Sequence, residues 1–309
     1  MRKSFTLLLM LLLAIPGMAQ KINDAYRLNI KRASSPIIID GVMDEQAWAD
    51  ADVAKDFYMI LPIDTSYAEV KTEVMMTYDD DKIYLLVINH HGEEGPYYVE
   101  SLRRDFTFGK NDNFLLFMDT FDDQTNGFSF GANAAGAQWD GIMYGGGSVD
   151  LSWDNKWFSK VQNYPDKWVF EAAIPFKSIR YKKGIKEWGI NFSRKDLKST
   201  EKSSWAPVPR QFPSASLAYT GILVWDEAPP EPGMNVSVIP YVMGGMVKDN
   251  VRDLPSDYQN RVGVDAKIAV SSSLNLDLTV NPDFSQVEVD RQITNLVGFE
   301  LFYPERSQF

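Results

Sequence analysis

The sequence predicts an all-β protein: an antiparallel β-sandwich over residues 20–225, followed by a few long antiparallel strands of an incomplete β-barrel over residues 235–309. Three observations carry this reading. Short apolar or alternating runs recur at roughly even spacing, with Asp, Asn and Gly turns between them, as in sandwich strands. No stretch holds a helical period of useful length. Beyond a break rich in proline and acid, the alternation lengthens to segments of about ten residues with one apolar face.

Taken in order, residues 1–19 read as a secretory leader. Arg2 and Lys3 form its basic start, Leu7 to Ile15 its apolar stretch, and Gly17-Met18-Ala19 its cleavage site. The apolar stretch is short for a bilayer span. An apolar run, Ile37-Ile38-Ile39, then stops at Asp40-Gly41, the pair a tight turn wants. One helical turn follows, with Trp48 spaced to fold back onto the sheet.

Strand signals come next. Glu69 to Val74 alternates, and Lys82 to Ile88 is continuously apolar, as in a buried strand. Asn113 to Asp119, Gly127 to Phe130, Trp168 to Ile174 and Trp188 to Phe192 repeat the theme. Turns at Asp79-Asp80-Asp81, Asp122 to Gly127 and Asn163 to Asp166 separate them. Residues 226–234 hold Pro229, Pro230 and Pro232 among acids and glycine, a linker composition. After it, Val262, Val264, Ala266, Ile268 and Val270 alternate with small or charged residues. Leu274, Leu276, Leu278 and Val280 do the same, with Ser271-Ser272-Ser273 as the turn. Transmembrane β-strands carry this pattern, and so does a soluble hairpin pair packed on a neighbour. Three or four strands cannot close a barrel, so the barrel reading makes this the front of a longer protein.

The formal net charge is −11, and removal of Arg2 and Lys3 with the leader makes it −13. That argues against non-specific nucleic-acid binding. The chain has no cysteine, which removes disulfides, thiolate metal sites, cysteine nucleophiles and a lipid-modified cysteine anchor. A secreted chain of this size without disulfides fits a bacterial envelope.

Three phrases, in order, resemble the family 9 carbohydrate-binding modules: Ile39-Asp40-Gly41 to Trp48, Asp112-Asn113 to Asp119, and Trp168-Val169-Phe170-Glu171-Ala172-Ala173-Ile174-Pro175. The resemblance spans Ile37 to Trp225 and implies a jelly-roll-like sandwich that holds sugar. The whole chain is similar to Gram-negative surface proteins that place this domain before a β-rich region of unknown function, taken to be an outer-membrane barrel. Asn281 to Asp290, Phe299 to Arg306, Asn133 to Asp140, and Asn191 to Arg194 through Glu201 to Pro207 carry that likeness. It implies secretion and residence at the outer membrane or in the periplasm.

Sugar modules stack exposed aromatics on pyranose faces while polar groups read the hydroxyls. Trp48, Trp168 and Trp188 sit in apolar contexts and are expected in the core. Trp139, Trp153 and Trp205 lie in polar, Gly- or Pro-rich surroundings and are the candidate platforms. Asn133, Gln138 and Asp140 flank the small-residue stretch before Trp139 as candidate polar contacts, with Arg104 as an orienting cation. The resemblance implies calcium held by loop oxygens. Candidate ligands are Asp79, Asp80, Asp81, Asp119, Asp122 and Asp123, but neither loop has an EF-hand spacing, and the residues themselves read first as solvated turn acids. His90-His91, neighbours on a strand, point to opposite faces and make a poor metal pair.

Three functional classes follow. One is a non-catalytic glycan binder at the cell envelope, associated with carbohydrate catabolism or uptake. Another is a sandwich that has lost sugar binding and serves as a periplasmic plug or docking domain. The third, a glycoside hydrolase, needs two suitably spaced carboxylates, and no acid here sits in a recognisable catalytic phrase.

Overall fold

The computed structural model describes residues 21–92, 95–230, 236–247, 257–269 and 275–281. The leader, the Ser271-Ser272-Ser273 turn and the phrases within 282–309 lie outside the described residues. The chain divides into two compact units, Met1–Pro232 and Gly233–Phe309. No helix among the described residues is long and apolar enough to cross a membrane.

The first unit begins with β1 (Arg27–Arg32), a single helical turn α1 (Gln46–Ala49), β2 (Val53–Ala54), β3 (Tyr58–Leu61), β4 (Thr72–Tyr78) and β5 (Lys82–His90). It continues with β6 (Asn113–Asp119), β7 (Gly127–Asn133), β8 (Gln138–Tyr144), β9 (Ser148–Asp150), β10 (Phe158–Asn163) and β11 (Lys167–Pro175). It ends with β12 (Glu187–Asp196), β13 (Glu201–Ser204) and β14 (Gly221–Trp225). One layer runs β10-β11-β5-β4, with β2 beside β4; the other runs β14-β12-β6-β7-β8-β9, with β13 and β3 added beyond β12. Every pair is antiparallel except the two made by β1. Its Arg27 to Ile30 pair in parallel with β14, and its Lys31 and Arg32 pair in parallel with β4. One strand therefore belongs to both layers and curls them into a continuous sheet.

The core explains the apolar runs. From the first layer, Val74, Met76, Leu85, Val87, Trp168 and Phe170 face inward. From the second come Phe114, Leu116, Phe130, Trp188, Ile190 and Phe192. Trp188 packs 4.8 Å from Trp225 and 5.3 Å from Tyr181, ring centre to ring centre. Both outer faces are also covered. The segment carrying Ile37, Ile39, Met43 and Trp48 lies over Met75, Tyr84, Leu86 and Val169. Phe106, Ala215 and Leu217 lie over Leu115, Phe117, Trp139 and Met143. A strand covered on both faces reads as a continuous apolar run, which is why Lys82 to Ile88 barely alternates.

The opening turn is held from below. The carboxylate of Glu171, on the outer face of β11, accepts the backbone N–H groups of Asp40 and Gly41, both at 2.9 Å. Gly41 has φ +85°, and a Cβ there would lie 3.0 Å from that of Gln162, so glycine is required on both counts. At one end of the sandwich the buried Arg194 of β12 reaches across to the other layer. It donates to the carbonyls of Lys71 (2.8 Å) and His90 (2.5 Å) and to the Thr72 hydroxyl (3.0 Å). The start of the expected linker is docked, not free. The Tyr78 and Tyr181 hydroxyls donate to the Asp226 carboxylate and the Pro230 carbonyl, and Pro229 is buried.

The second unit, described by itself, is an antiparallel meander of β15 (Val236–Val247), β16 (Asp257–Ala269) and β17 (Asn275–Val280). Its register aligns Val238, Ala266 and Leu278 across the three strands, and likewise Pro240, Val264 and Val280. Val242 faces Val262, and Met246 faces Tyr258. These even-numbered residues form one apolar face, and it is open: Val242 is 80 % exposed and Val262 63 %. The opposite face aligns Ile239, Asp265 and Thr279, and sets Lys267 against Asp277. There the Tyr241 ring lies over Gly263, where a Cβ would come within 2.3 Å of it, a ring filling the place of the missing side chain.

Candidate functional site

The candidate site lies at the edge of the sandwich, where β8 of one layer reaches β10, the edge strand of the other. The stretch before β8 folds back on itself. Asn133 accepts the N–H groups of Ala135 (3.1 Å) and Ala137 (3.0 Å) at its side-chain oxygen, and donates to the Ser101 carbonyl (2.8 Å). Gly136 supplies φ +85° at the tip. Alternation along β8 then sends Trp139 and Met143 to the covered outer face and Gln138 and Asp140 to the side facing β10.

Gln138 joins two features. Its amide donates to the Ser159 hydroxyl on β10 (2.9 Å), and its oxygen accepts from Arg104 (3.2 Å). Beyond Ser159 opens a groove of about 520 Å³, lined by Ile37, Ile39, Lys82, Tyr84, Gln138, Trp157, Phe158, Ser159 and Ala173. Phe158 is 44 % exposed, with the Lys156 ammonium 5.6 Å from its ring centre.

Behind Gln138 stands a charged cluster. The Arg104 guanidinium lies 2.5 Å from the Asp140 carboxylate and 2.7 Å from that of Asp154, and it donates to the Asn155 carbonyl at 3.1 Å. Asp140 is fully buried. Burial raises its pKa, and the Arg104 charge opposes that rise. Asp105 accepts the Asp140 N–H (3.3 Å). Its own pKa is pushed up to about 6, first by burial and further by the Asp140 and Asp154 charges.

The structure thus brings Arg104, Gln138 and Asp140 together, and it corrects three of the other expectations. Trp139 is buried on the far side of β8, because strand alternation and not the small residues before it sets its direction. Trp205 is buried in the main core, 5.7 Å from Tyr26 and 5.6 Å from Phe192. Asn133 is buried, and its side chain shapes its own turn. Trp153 is half-buried against Phe128 and Phe130. The core places of Trp48, Trp168 and Trp188 are as expected, and Trp157 is buried beside the groove.

The carboxylates of the acidic turns are engaged within their own loops and with neighbouring cations. Asp79 accepts the N–H groups of Asp81 and Lys82 and the Tyr84 hydroxyl, and Asp80 pairs with Arg32. Asp119 accepts the N–H groups of Asp123 and Gln124, while Asp123 accepts those of Thr125 and Asn126. Asp122 pairs with Lys21. Among the described residues, no three acids or histidines converge on a point a metal could occupy.

Sequence reasoning missed Phe158, Ser159 and Lys82. The signal was present in Phe158 to Asn163, where outward and inward residues alternate along an edge strand.

Similarity to known proteins falls into two parts, matching the two units. Residues 232–309 match a family model described as a domain of unknown function, DUF5916. No curated protein is similar enough to count as a relative. Among solved structures, a candidate carbohydrate-binding protein from Bacteroides uniformis is similar at TM-score 0.50 and 13 % identity, over 65 % of this chain and 99 % of that one. A family 9 carbohydrate-binding module from Caldicellulosiruptor kristjanssonii is similar at 14 % identity in two complexes. With cellotriose the TM-score is 0.48, over 65 % of this chain and 94 % of that one. With glucose it is 0.47, over 64 % and 96 %. The Bacteroides uniformis protein shares the sandwich fold of the first unit.

Proposed function

We propose that residues 20–230 form a non-catalytic carbohydrate-binding domain, and that residues 236–281 belong to the wall of an outer-membrane β-barrel. The observation that carries the first part is the groove at the open edge of a sandwich whose fold is shared with a candidate carbohydrate-binding protein. Its volume lies within the range of small-ligand sites, about 300–1,000 Å³. Phe158 offers an apolar ring for a pyranose face, and Lys82, Ser159 and Gln138 offer hydroxyl partners. The acids behind it are engaged: Asp140 and Asp154 with Arg104, Asp105 with the backbone. That supports holding a sugar over hydrolysing one.

The barrel rests on the open apolar face. From Val236 to Met246 it runs ten residue steps. At about 3.3 Å per step and a tilt of about 40°, that gives a band about 25 Å tall, the height of the lipid-facing band of such barrels. The leader at residues 1–19 supports export.

Calorimetry of the full-length chain against a panel of gluco- and xylo-oligosaccharides tests the binder. Phe158→Ala is expected to weaken binding about tenfold, the upper range for one aromatic contact, and Gln138→Ala to weaken it less. Binding that survives Phe158→Ala unchanged rejects this groove. A second reading, a docking domain without sugar affinity, is favoured by the burial of Trp139 and Trp205. It predicts no heat with any glycan.

A further inference from the structure

We infer that the groove of the sandwich selects acidic sugars, oligosaccharides whose residues carry a carboxylate as uronic acids do. This rests on the carbohydrate-binding reading above and deepens it by naming the class of sugar. The strand register builds the floor of the groove. Phe158 of β10 pairs with Ala173 of β11, and Ala173 pairs with Tyr84 of β5. Residues paired in this way share one face of a sheet, here the outer face of the first layer, where Tyr84 and Ala173 meet Ile37 and Ile39. Phe158 and Tyr84 stand on strands two spacings apart, about 10 Å, with only a methyl group between them. That leaves a shallow apolar seat for one sugar ring beside the exposed face of Phe158. Lys82 lies two residues before Tyr84, on the same face, and lines the groove.

The charge around this seat is one-sided. Lys82 is the only charged residue that lines the groove, and no carboxylate lines it. The Lys156 ammonium stands 5.6 Å from the centre of the Phe158 ring. Lys160, exposed, follows Phe158 by two residues on the same face of β10. Among the described residues, none of these three lysines has an ion pair. The nearby acids answer other donors. Asp79 accepts the N–H groups of Asp81 and Lys82 and the Tyr84 hydroxyl. Glu171, opposite Lys160, accepts the N–H groups of Asp40 and Gly41. In a chain of net charge −11, three uncommitted ammonium groups around one apolar seat are a local reversal of sign. At physiological salt, charges more than about 8 Å away are largely screened, so a ligand in the seat meets the lysines and little of the acidic remainder. A carboxylate on the sugar makes a charge-assisted hydrogen bond with an ammonium, roughly twice as strong as the neutral kind that a hydroxyl makes.

The test compares sugars that differ only in charge. Trisaccharides of galacturonate and of glucuronate are titrated into the full-length chain by calorimetry, each beside its own methyl ester, with cellotriose as a neutral reference. At least one acid is expected to bind about tenfold or more tightly than its ester and than cellotriose. That margin is expected to shrink as sodium chloride rises from 0.05 to 0.5 M. Lys82→Gln is expected to remove most of the margin and Lys82→Arg, which keeps the charge, to retain it. Phe158→Ala is expected to weaken acid and ester alike. Cellotriose or an ester binding as tightly as the better acid overturns the inference and leaves the carbohydrate-binding reading standing. So does a preference for the acid that Lys82→Gln leaves unchanged, since the charge would then be read outside this groove. No heat from any of the five sugars removes the carbohydrate-binding reading and the inference together.

Discussion

The two units use the same alternation to opposite ends. In the sandwich, Trp188, Ile190 and Phe192 of β12 are wholly buried between layers. In the meander, Val238, Val242 and Val262 form an equally regular apolar row and stand open. An apolar face of this extent needs a cover. The sandwich supplies its own from a second layer, a helical turn and three loop segments. The meander has only its register, which gathers the apolar residues of three strands on one side. The difference teaches that alternation fixes which residues share a face, while the surrounding chain decides what that face meets.

The largest expected effect tests the buried side of this comparison. Trp188→Ala removes a ring packed against Trp225 and Tyr181 and is expected to cost about 3–5 kcal/mol of sandwich stability, read by urea denaturation through tryptophan fluorescence. Val242→Ala, on the open face, is expected to leave that transition unmoved. The next effect tests the open side. Val242→Arg, at the middle of the proposed lipid-facing band, is expected to destabilise the membrane-inserted protein by about 2–4 kcal/mol, measured by unfolding from lipid vesicles. If Val242→Arg behaves like Val242→Ala in vesicles, the face does not meet lipid.

How much of this could be read in the sequence differs by kind of residue. The sandwich phrases were legible because their residues build one another's geometry. Asp40 and Gly41 donate to Glu171, which ties the first phrase to the third across about 130 residues. Asn191 holds both polar groups of Ala206, at 3.0 Å and 2.9 Å, which ties the two halves of the later phrase. Such mutual contacts demand particular residues, so they mark the fold and say little of a ligand. The face of the meander was legible too, since the strand period is two. Trp139 and Trp205 were misjudged because their neighbours are small and polar, while covers distant in sequence, Phe106 and Leu217 for the one and Tyr26 for the other, bury them. The groove was legible only in part, in Gln138, because Lys82, Gln138 and Phe158 come together from three strands of two layers.

The smallest effect separates the units by pH. Packing in the sandwich encloses a carboxylate, Glu171, whereas Asp277 of the meander is exposed. Burial pushes the Glu171 pKa up to about 7 from the ordinary 4.5, although the N–H groups of Asp40 and Gly41 favour the charged form. A raised pKa means the folded state binds the proton more tightly than the unfolded one. The stabilisation from this group is therefore complete below about pH 4.5 and is lost as pH rises through about 7. Glu171→Gln keeps an oxygen for both N–H groups and cannot ionise. It is expected to flatten the stability of the sandwich between about pH 5 and 8, with a gain near pH 8 of about 1–3 kcal/mol as the charged form is eliminated. Glu171→Ala leaves those two N–H groups without their acceptor and is expected to lose stability at every pH. A Glu171→Gln protein whose urea midpoint still falls between pH 5 and 8 as the parent's does would show that the ionisation lies elsewhere, with Asp105 the next group to test because its pKa of about 6 falls in the same window.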